Sequence, residues 1–531
     1  MHPRPKNALM ILGTASHVGK SIITTGLGRV FADDGYRVVP FKAQNMSLNS
    51  AATPDGGEIG RAQALQAEAC RVAPSIDMNP VLLKPSTDAG AQVVLLGKIW
   101  GQVTASDYHT QRVEQLFPQV ISAYQRLAAD YQLILLEGAG SPAEINLREH
   151  DIVNMRMAHA ADAACVLVGD IDRGGVFASL LGTLELLEPA DRARIRGFII
   201  NKFRGDESLL RPGIAMIETR LGVQCLGVVP FLHDLGLDEE DGVALEDRAS
   251  ATRCWRNLES GSARALRIGV IALPHMANFT DFDALALEPS ISLAFLEAPE
   301  EMATADLLIL PGTKQTLDDL SWLEQRGFDR ELRRLAEIGI PIAGICGGFQ
   351  MLGVTVEDPW GIENHGDACS RTALGLLSVR TVLGTEKIVR RVRGSLRRSL
   401  FSNDSAPPVH FEGYEIHVGE TFYESGTHPL ADIQLQGEIK FVADGAVNET
   451  GRVCGTYVHG FFDNDDFRHA FIRTARVGAD LAPAEKFARV SAQREARIDR
   501  LANHLRQALD MNLIRNWLVE PCTRQLTNLP S

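Results

Sequence analysis

Short runs of β-branched and leucine residues recur through the first half of the chain, and most of them end in Gly, Asp or Asn. Stretches with helical spacing lie between most of the runs, such as RAQALQAEACRVA at 61–73, which Pro74 would end. Continuously apolar strands that alternate with helices are typical of a mainly parallel sheet covered on both faces. Ligands of such sheets collect at the carboxyl ends of the strands. The strand-like runs are NALMILG, VVPFKAQ, QLILLEGAG, AACVLVGDID, GFIINKF and CLGVVPF.

The same pattern restarts in the second half of the chain. An acidic stretch between Leu235 and Arg267 lacks apolar periodicity, and RIGVIALP, ISLAFLEAP, ADLLILPG and PIAGICGG follow it. We therefore predict an α/β protein with two doubly wound, mainly parallel-sheet domains and a helical C-terminal tail. The predicted segments are a first domain at 1–240, a linker at 241–265, a second domain at 266–475 and a helical extension at 476–531.

Composition excludes several functional classes. The 531 residues carry a formal net charge of −14, which argues against a nonspecific nucleic-acid surface because phosphate backbones require clustered Lys and Arg. We interpret the basic run RRVRGSLRR at 390–398 as a solvated face. The eight cysteines include no CxxC pair, so they suggest neither a disulfide framework nor a zinc site and fit a reducing compartment.

The N-terminus passes directly into a strand-like run without the pattern of a signal peptide. No apolar stretch reaches the roughly 18 residues that a membrane span requires. We expect a soluble, cytoplasmic protein that acts on small molecules, without a nucleic-acid or membrane partner. The sequence leaves the oligomeric state open, including a homo-oligomer.

The stretch GTASHVGKS at 13–21 lies between a predicted strand and a predicted helix. A glycine-rich turn in this setting exposes backbone N–H groups at the positive end of a helix and binds phosphates. We predict that Gly13, Thr14 and Gly19 form an ATP-binding loop, that Lys20 reaches the terminal phosphates and that Ser21 holds Mg²⁺. Five residues separate Gly13 from Gly19, where the usual motif has four. The alternative is a structural glycine turn.

Two further strand ends support a nucleotide site. Glu137 follows a buried apolar strand, where a carboxylate is costly unless it binds a metal or cations, so we predict a Mg²⁺ ligand in preference to a surface glutamate. NKFRGD at 201–206 ends another strand and resembles a segment that reads adenine, with Asn201 as the hydrogen-bonding residue.

Polar residues also follow the second predicted strand, in FKAQNMSLNS at 41–50. Lys42, Gln44, Asn45 and Asn49 could contact carboxylates or amides of a substrate. The asparagines could equally serve to form turns, since their side chains bond their own backbone.

The stretch PIAGICGGFQMLG has a different chemistry, centred on Cys346. A strand enters the cysteine and glycines leave it into a helix, which is the shape of a nucleophile elbow, where the helix start stabilises a thiolate. A lone buried cysteine is usually inert, but the glycines at 344, 347 and 348 favour a nucleophile.

A thiol nucleophile requires a base and an oxyanion hole. The backbone N–H groups of Gly312, or its neighbour, and of Gly347 could face the oxyanion. Candidate bases are His410, His417 and His459. We predict that the base is His459, because GTYVHGFF places it at the end of an apolar strand beside a glycine, and that His417 in EGYEIHVG is a packing or interface residue.

Each motif resembles that of a known family. GTASHVGKS resembles the phosphate loop of dethiobiotin synthetase and its relatives, in which ATP activates a carboxylate. Residues 266–470 resemble the class I glutamine amidotransferase domain, whose cysteine attacks the side-chain amide of glutamine and releases ammonia. Most members of that class follow the histidine with Pro and Glu, whereas Gly460 and Phe461 follow His459. The resemblance leaves open which group orients His459.

The order of the motifs along nearly the whole chain resembles the cobyrate and cobyrinate amidotransferase family. The resemblance implies an ATP-, Mg²⁺- and glutamine-dependent ligase that amidates the b, d, e and g carboxylates of adenosylcobyrinic acid a,c-diamide. QNMSLNS and GDIDRGG favour this reaction over formation of the a,c-diamide itself. A CTP synthase would carry a His-Pro-Glu end, and a P-loop ATPase switch would need no nucleophile elbow.

Overall fold

The chain forms two compact units in the computed structural model, which describes residues 7–87, 90–104, 113–233, 235–237, 264–364, 366–401, 408–436, 438 and 440–518. Unit 1 comprises the chain up to residue 46, residues 59–238 and the chain from residue 494. Unit 2 comprises residues 47–58 and 239–493. Most of the predicted linker at 241–265 lies outside the described residues.

The described residues alternate between strands and helices over most of their length. The strands are β1 (Asn7–Gly13), β2 (Val38–Phe41), β3 (Gln44–Met46), β4 (Ser50–Ala52), β5 (Glu58–Gly60), β6 (Val81–Thr87), β7 (Gly90–Leu95), β8 (Lys98–Thr104), β9 (Leu133–Glu137), β10 (Ala164–Asp170), β11 (Ile195–Phe203), β12 (Gln224–Pro230), β13 (Leu266–Ile271), β14 (Ile291–Leu296), β15 (Leu307–Leu310), β16 (Ile342–Ile345), β17 (Thr355–Asp358), β18 (Cys369–Thr372), β19 (Val379–Leu396), β20 (His410–Tyr423), β21 (Ala431–Leu435), β22 (Phe441–Asp444), β23 (Ala446–Val447), β24 (Val453–Thr456) and β25 (Val458–His459). The helices are α1 (Lys20–Asp33), α2 (Arg61–Ala69), α3 (Val113–Asp130), α4 (Met155–Ala160), α5 (Val176–Leu186), α6 (Pro189–Arg192), α7 (Arg211–Leu221), α8 (Asp283–Ala286), α9 (Thr316–Arg326), α10 (Phe328–Glu337), α11 (Gly347–Leu352), α12 (Asp465–Gly478), α13 (Val490–Ala508) and α14 (Met511–Trp517). Short 3₁₀ helices span Ile76–Met78, Arg148–His150, Glu207–Leu209, Phe279–Phe282, Pro299–Thr304 and Phe461–Asp463.

Unit 1 is built on a six-stranded parallel sheet in the order β12-β11-β10-β1-β9-β2. Separate hydrophobic clusters cover its two faces, so the central strands are buried on both sides. All six strand-like runs of the first half of the sequence belong to this sheet, which confirms the predicted doubly wound architecture. A smaller sheet in the order β3-β6-β7-β8 lies in the chain between β2 and α3, and α2 belongs to the same stretch.

The predicted helical extension is divided between the two units. Its part from residue 494 belongs to unit 1, because apolar residues of α13 and α14, including Leu501, Leu505 and Ile514, pack in the same cluster as Leu27 of α1. The buried guanidinium of Arg29 on α1 also pairs with carboxylates of α13, at distances of 2.8 and 2.6 Å. The part of the helical tail from residue 494 is therefore packed into the core of unit 1.

Unit 2 contains a second mainly parallel sheet, in the order β14-β13-β15-β16-β24-β23, in which only β23 is antiparallel to its neighbour. Its first four strands are the four predicted ones. A mixed, mostly antiparallel sheet of β17–β22 and β25 follows, dominated by the long β19–β20 pair. The strand-like runs identified in the sequence did not predict that sheet. Within the described residues, no helix is long and apolar enough to cross a membrane.

Candidate active sites

The predicted phosphate loop of unit 1 runs from Gly13, the last residue of β1, to the start of α1. Gly19 has a φ of 99°, a left-handed conformation that favours glycine, and a Cβ placed there would collide with Nδ2 of Asn201. The backbone N–H of Thr14 donates to the carbonyl of Val168, 2.9 Å away. The loop is therefore held by β10 and β11, the two strands that follow β1 in the sheet.

Lys20 and Ser21 are the first residues of α1, and both side chains point to neighbouring strand ends. The ammonium group of Lys20 donates to the carbonyl oxygens of Ala15 and Gly140, at 2.9 and 3.0 Å. The hydroxyl of Ser21 donates to Oε1 of Glu137, at 2.8 Å. The structure therefore brings together the lysine, the serine and the glutamate that the sequence assigned to one site.

Glu137 ends β9 with only 1% of its surface exposed, and cationic and polar donors surround its carboxylate. Lys42 Nζ lies 3.0 Å from Oε1, and Nε2 of Gln66 lies 2.5 Å from Oε2. A buried carboxylate is tolerated only when it is paired and hydrogen-bonded, and Lys42 supplies the opposite charge. Lys42 thus lies in the same cluster as the phosphate loop.

The residues around Ser21 and Glu137 fit a magnesium ion. A serine hydroxyl and a carboxylate are oxygen ligands of the kind that Mg²⁺ prefers, and they already lie within hydrogen-bond distance of each other. No group of three or more His, Cys, Asp or Glu side chains that could hold a metal occurs in the described part of the chain. The usual magnesium site of nucleotide enzymes has one or two carboxylates that act together with phosphates of the substrate.

Asn201, near the end of β11, contacts the phosphate loop itself. Its Nδ2 donates to the carbonyl of Val18, at 2.8 Å. The next residue, Lys202, donates to the carbonyl of His17 at 2.7 Å and pairs with Asp170 at 2.9 Å. The observed role of this segment is to support the loop, and its predicted contact with adenine stays a prediction.

The other predicted substrate residues are divided between the two units. Asn45 is buried in unit 1, where its Nδ2 donates to Oε1 of Gln63 at 2.9 Å, and Gln44 lies on β3 beside β6. Asn49 belongs to the short segment of unit 2 at 47–58, where its backbone bonds with the Ser47 hydroxyl. The side-chain oxygen of Asn49 is buried without a hydrogen-bond partner among the described residues, so no side-chain bond forms a turn there, and Asn45 and Asn49 both stay candidates for the substrate site.

Cys346 stands between β16 and α11 in the geometry of a nucleophile elbow. Its φ of 52° and ψ of −110° form a strained conformation for a residue other than glycine, as functional sites often hold. A Cβ on Gly348 would collide with the backbone carbonyl of Leu310, so only glycine allows this approach. The thiol is buried and lies 3.5 Å from the carbonyl oxygen of Ile416 on β20.

His459 is fixed by a carboxylate from a distant part of the sequence. Its Nδ1 lies 2.7 Å from Oδ2 of Asp281, and Oδ1 of the same carboxylate accepts the backbone N–H of Gly460 at 3.0 Å. Asp281 belongs to the 3₁₀ helix Phe279–Phe282 and is 5% exposed. The bidentate contact fixes the orientation of the ring, which is the role that the missing Pro-Glu end would otherwise supply.

The other side of the His459 ring faces the cysteine. A Cβ built on Gly312 would lie 3.1 Å from Cε1 of His459 and 3.7 Å from Cβ of Cys346, so the three residues are immediate neighbours. Burial lowers the pKa of His459, but the charge and hydrogen bond of Asp281, together with the adjacent cysteine, outweigh burial and raise the pKa to about 10. The second ring nitrogen, Nε2, is buried beside Cys346, where it can exchange a proton with the thiol.

The residues of the predicted oxyanion hole lie in two loops that contact each other. Gly347 is the first residue of α11, where helical N–H groups have no partner inside the helix. A Cβ on Gly347 would lie 3.1 Å from the backbone nitrogen of Thr313, which follows Gly312. The carbonyl of Gly312 accepts the N–H of Ala277 at 2.9 Å and holds the loop in place. The geometry fits the predicted pair Gly312 and Gly347, with Thr313 as the neighbour.

The two other candidate histidines have different surroundings. His417 is buried, and its ring stacks on Tyr457 with centroids 3.7 Å apart. Burial, with the charges of Arg390 and His459, lowers the pKa of His417 to about 3, so this ring is neutral at physiological pH. His410 is exposed at the start of β20. His417 packs in the core, one of the two roles expected for it, and its Nε2 lies 3.9 Å from a carboxylate oxygen of Glu415. Among the three candidates, His459 is the one whose ring is hydrogen-bonded to a carboxylate next to the cysteine.

Two residues of these sites were not identified from the sequence. Asp281 lies 178 positions before His459, and nothing in ANFTDFD marks it as a partner of a histidine. Gln66 lies on α2, three positions after Gln63, and both glutamines are buried on a helix whose spacing had been interpreted only as structural. The one signal in the sequence for Gln66 is that two glutamines lie three positions apart, on the same face of a predicted helix.

Asp281→Asn should lower glutaminase activity by about 10²- to 10⁴-fold, the range that general acid–base catalysis contributes. The amide keeps the shape of the side chain but removes the charge that raises the pKa of His459, so the alkaline limb of the activity profile should move to lower pH. The measurement is glutamate release from glutamine as a function of pH, with Asp283→Asn as the matched control. Unchanged activity with an unchanged pH profile would contradict the assignment of Asp281.

These geometries define the class of the protein. A buried thiol, imidazole and carboxylate at a nucleophile elbow form one site, and a phosphate loop with a buried carboxylate forms the other. A CobB/CobQ-like glutamine amidotransferase domain matches residues 267–467, and a CobQ/CobB/MinD/ParA nucleotide binding domain matches residues 9–245. The chain is a glutamine amidotransferase joined to a nucleotide-binding domain.

Similar proteins narrow this class to one family. The chain is 46% identical over 509 residues to cobyric acid synthase of Klebsiella pneumoniae (strain 342), and the aligned region covers 96% of this chain and 97% of that protein. It is 46% identical over 511 residues to cobyric acid synthase of Desulforamulus reducens, with 96% and 98% covered. The chain belongs to the cobyric acid synthase family. The structure of PurLQS from Thermotoga maritima matches 39% of this chain and 98% of that chain at 19% identity, but its TM-score of 0.31 is too low to support a conclusion.

Proposed function

We propose that this chain amidates the b, d, e and g carboxylates of adenosylcobyrinic acid a,c-diamide, and that it uses one glutamine and one ATP for each amide. The proposal rests on the observation that one chain contains two sites. Cys346, His459 and Asp281 form the first, and a phosphate loop whose Ser21 is hydrogen-bonded to Glu137 forms the second. The first arrangement suits the release of ammonia from glutamine, and the second suits the activation of a carboxylate by ATP. The names of the relatives and the order of the motifs support this choice of substrate.

In unit 2, Cys346 attacks the side-chain amide carbon of glutamine, and the N–H groups of Gly347 and the Gly312–Thr313 loop stabilise the oxyanion. His459 protonates the departing nitrogen through Nε2, so ammonia leaves and a thioester forms. Water then hydrolyses the thioester to glutamate, with His459 accepting its proton. Asp281 keeps Nε2 directed at the reacting groups by holding Nδ1.

In unit 1, the γ-phosphate of ATP is transferred to an oxygen of the substrate carboxylate, and ADP departs. Lys20 stabilises the charge of the transferred phosphate, and the backbone of the loop binds the remaining phosphates. Mg²⁺ held by Ser21 and Glu137 would neutralise phosphate charge when bound. Ammonia then attacks the acyl phosphate and displaces phosphate, which is a far better leaving group than the oxygen of a free acid.

The boundaries of the functional segments remain part of this proposal. We assign the synthetase reaction to 1–240, the glutaminase reaction to 266–475 and a supporting role to the helical segment at 476–531. A cytoplasmic location fits the absence of a membrane-spanning helix among the described residues. Neither reaction as described requires a second chain. A homo-oligomer is also compatible with the proposal.

The stoichiometry of the reaction tests this proposal. Purified protein with the corrin acid, ATP and glutamine should form amide, ADP and glutamate in equal amounts. A P-loop switch that hydrolyses ATP without a glutaminase is the alternative from another class, and it would release phosphate without glutamate. Formation of ADP without any amide would overturn the proposed function in favour of that alternative.

Glu137→Gln should abolish most amidation with either glutamine or ammonia, because the amide has no charge for Mg²⁺ and disturbs Ser21 and Lys42. If Glu137 binds the metal, high Mg²⁺ should restore part of the rate. The measurement is the initial rate of amide formation from ammonia over a range of Mg²⁺ concentrations. A rate of the variant that does not depend on Mg²⁺ would count against a metal role.

A further inference from the structure

Helix α2 carries two buried glutamines, of which Gln66 contacts Glu137 and Gln63 contacts Asn45. Gln63 and Gln66 are three positions apart, so they lie on the same face of the helix, and they are 0% and 1% exposed. Buried side-chain amides are normally hydrogen-bonded at both ends. Here each amide has one end paired within the protein and one end without a hydrogen-bond partner among the described residues.

The orientation of Gln66 is determined by its partner. Its Nε2 donates to Oε2 of Glu137, and an ionised carboxylate can only accept hydrogen bonds, so the carbonyl end must point away from Glu137. That carbonyl, Oε1, is the end without a partner. An acceptor therefore lies one amide group away from the carboxylate that pairs with Lys42 and Ser21.

Gln63 presents the opposite polarity. Its Oε1 accepts from Nδ2 of Asn45, and its Nε2 donor has no partner within the described part of the chain. A buried polar atom without a partner destabilises the folded protein, so two such atoms on one helix face indicate groups that a ligand completes. The ligand must supply an acceptor for Gln63 and a donor for Gln66.

We propose that Gln63 and Gln66 bind the two reactants of amide formation: Nε2 of Gln63 donates to a carboxylate oxygen of the acid, and Oε1 of Gln66 accepts an N–H of the incoming ammonia. This inference rests on the proposed function. The carboxylate supplies only acceptors and ammonia supplies donors, which matches the two free ends. In the step itself the C–N bond forms, the bond from carbon to the phosphate oxygen breaks, and the extra proton of nitrogen passes to the departing phosphate.

Gln63→Met and Gln66→Met test the assignment, because methionine has a similar length and lacks an amide. The assay supplies ammonia instead of glutamine, and it determines KM separately for the acid, ammonia and ATP. Loss of a hydrogen bond of this kind corresponds to about a ten- to hundredfold effect. Gln63→Met should raise KM for the acid by that factor and leave KM for ATP near the wild-type value. Gln66→Met should raise KM for ammonia by a larger factor than KM for ATP, because Gln66 also donates to Glu137.

Gln119→Met is the control, since Gln119 is exposed on α3 of the same unit. If a methionine variant does not fold, Gln63→Asn or Gln66→Asn replaces it. Each shortens the side chain by one methylene, so the amide is withdrawn from the reactant, and the same change in KM is expected. An altered thermal stability with all three KM values unchanged, or a change confined to ATP, would overturn the assignment. Failure of the wild-type protein to form amide from ammonia and ATP would instead reject the proposed function itself.

Discussion

Cys346→Ala should eliminate glutamine-dependent amidation and leave ammonia-dependent amidation close to the wild-type rate. A methyl group cannot attack glutamine, and Cys346→Ser should also be inactive because a hydroxyl is a much weaker nucleophile than a thiolate. Unit 1 has its own sheet and its own phosphate loop, so a change at the elbow of unit 2 should not affect phosphate transfer. Amide formation is measured with glutamine and, separately, with an ammonium salt at mildly alkaline pH.

Cys454→Ala provides the matched control for this prediction. Cys454 is also buried on a strand of the same sheet, but burial raises the pKa of its thiol to about 12, and it does not lie at an elbow. The control should retain glutamine-dependent activity. Folded Cys346 variants that lose both activities would contradict separable sites, and the cysteine would then have to act on the corrin itself or hold the structure together.

The same experiment should distinguish His459 from His417. His459→Ala should lose glutamine-dependent synthesis by about 10²- to 10⁴-fold and keep the ammonia reaction, as expected for the loss of a general acid and base. His417→Ala should cost much less, since that ring is neutral and packs on Tyr457. Equal losses in the two variants would contradict the assignment of His459 as the general acid and base and of His417 as a packing residue.

Lys20→Ala should abolish amidation with glutamine and with ammonia alike. The lysine ammonium is the cation of the phosphate loop, and without it the charge on the transferred phosphate is not stabilised. The loop carbonyls of Ala15 and Gly140 lose a donor, but neither lies in the apolar core, so the variant should fold. The measurement is ammonia-dependent amide formation together with thermal unfolding.

Lys98→Ala is the control for the charge itself, because Lys98 is exposed on β8 of the same unit. It should behave like the wild type. Near-normal ammonia-dependent synthesis by Lys20→Ala would show that the loop does not bind the reacting phosphate, and the assignment of Gly13, Thr14, Gly19 and Ser21 would fail with it.

Features encoded by contiguous residues could be predicted from the sequence. The phosphate loop and the elbow each lie within about a dozen residues, in which glycines, a strand and a helix together indicate the chemistry. The six parallel strands of unit 1 were predicted because continuous apolar runs identify buried strands. The elbow strand of unit 2 was predicted for the same reason, and so was the position of Cys346.

Features that depend on tertiary contacts could not be predicted in this way. Asp281 approaches His459 only because the fold brings together two segments 178 residues apart. The antiparallel sheet of β17–β22 has half-exposed strands with weak alternation, so its sequence did not separate it from the domain around it. Gln66 looked like part of an ordinary amphipathic helix until its contact with Glu137 placed it in the site.

The central claim is that nitrogen from glutamine, released at Cys346, is joined to corrin carboxylates that ATP has activated. Mass spectrometry of the corrin product tests this most directly, with glutamine labelled by ¹⁵N at its side-chain amide and unlabelled ammonium present in the buffer. We expect four successive amidations that are enriched in the label in the wild-type protein, and four amides without the label in Cys346→Ala. A product that stops after two amidations would identify an a,c-diamide synthase, and a corrin that remains unchanged in the presence of ATP and glutamine would contradict the account.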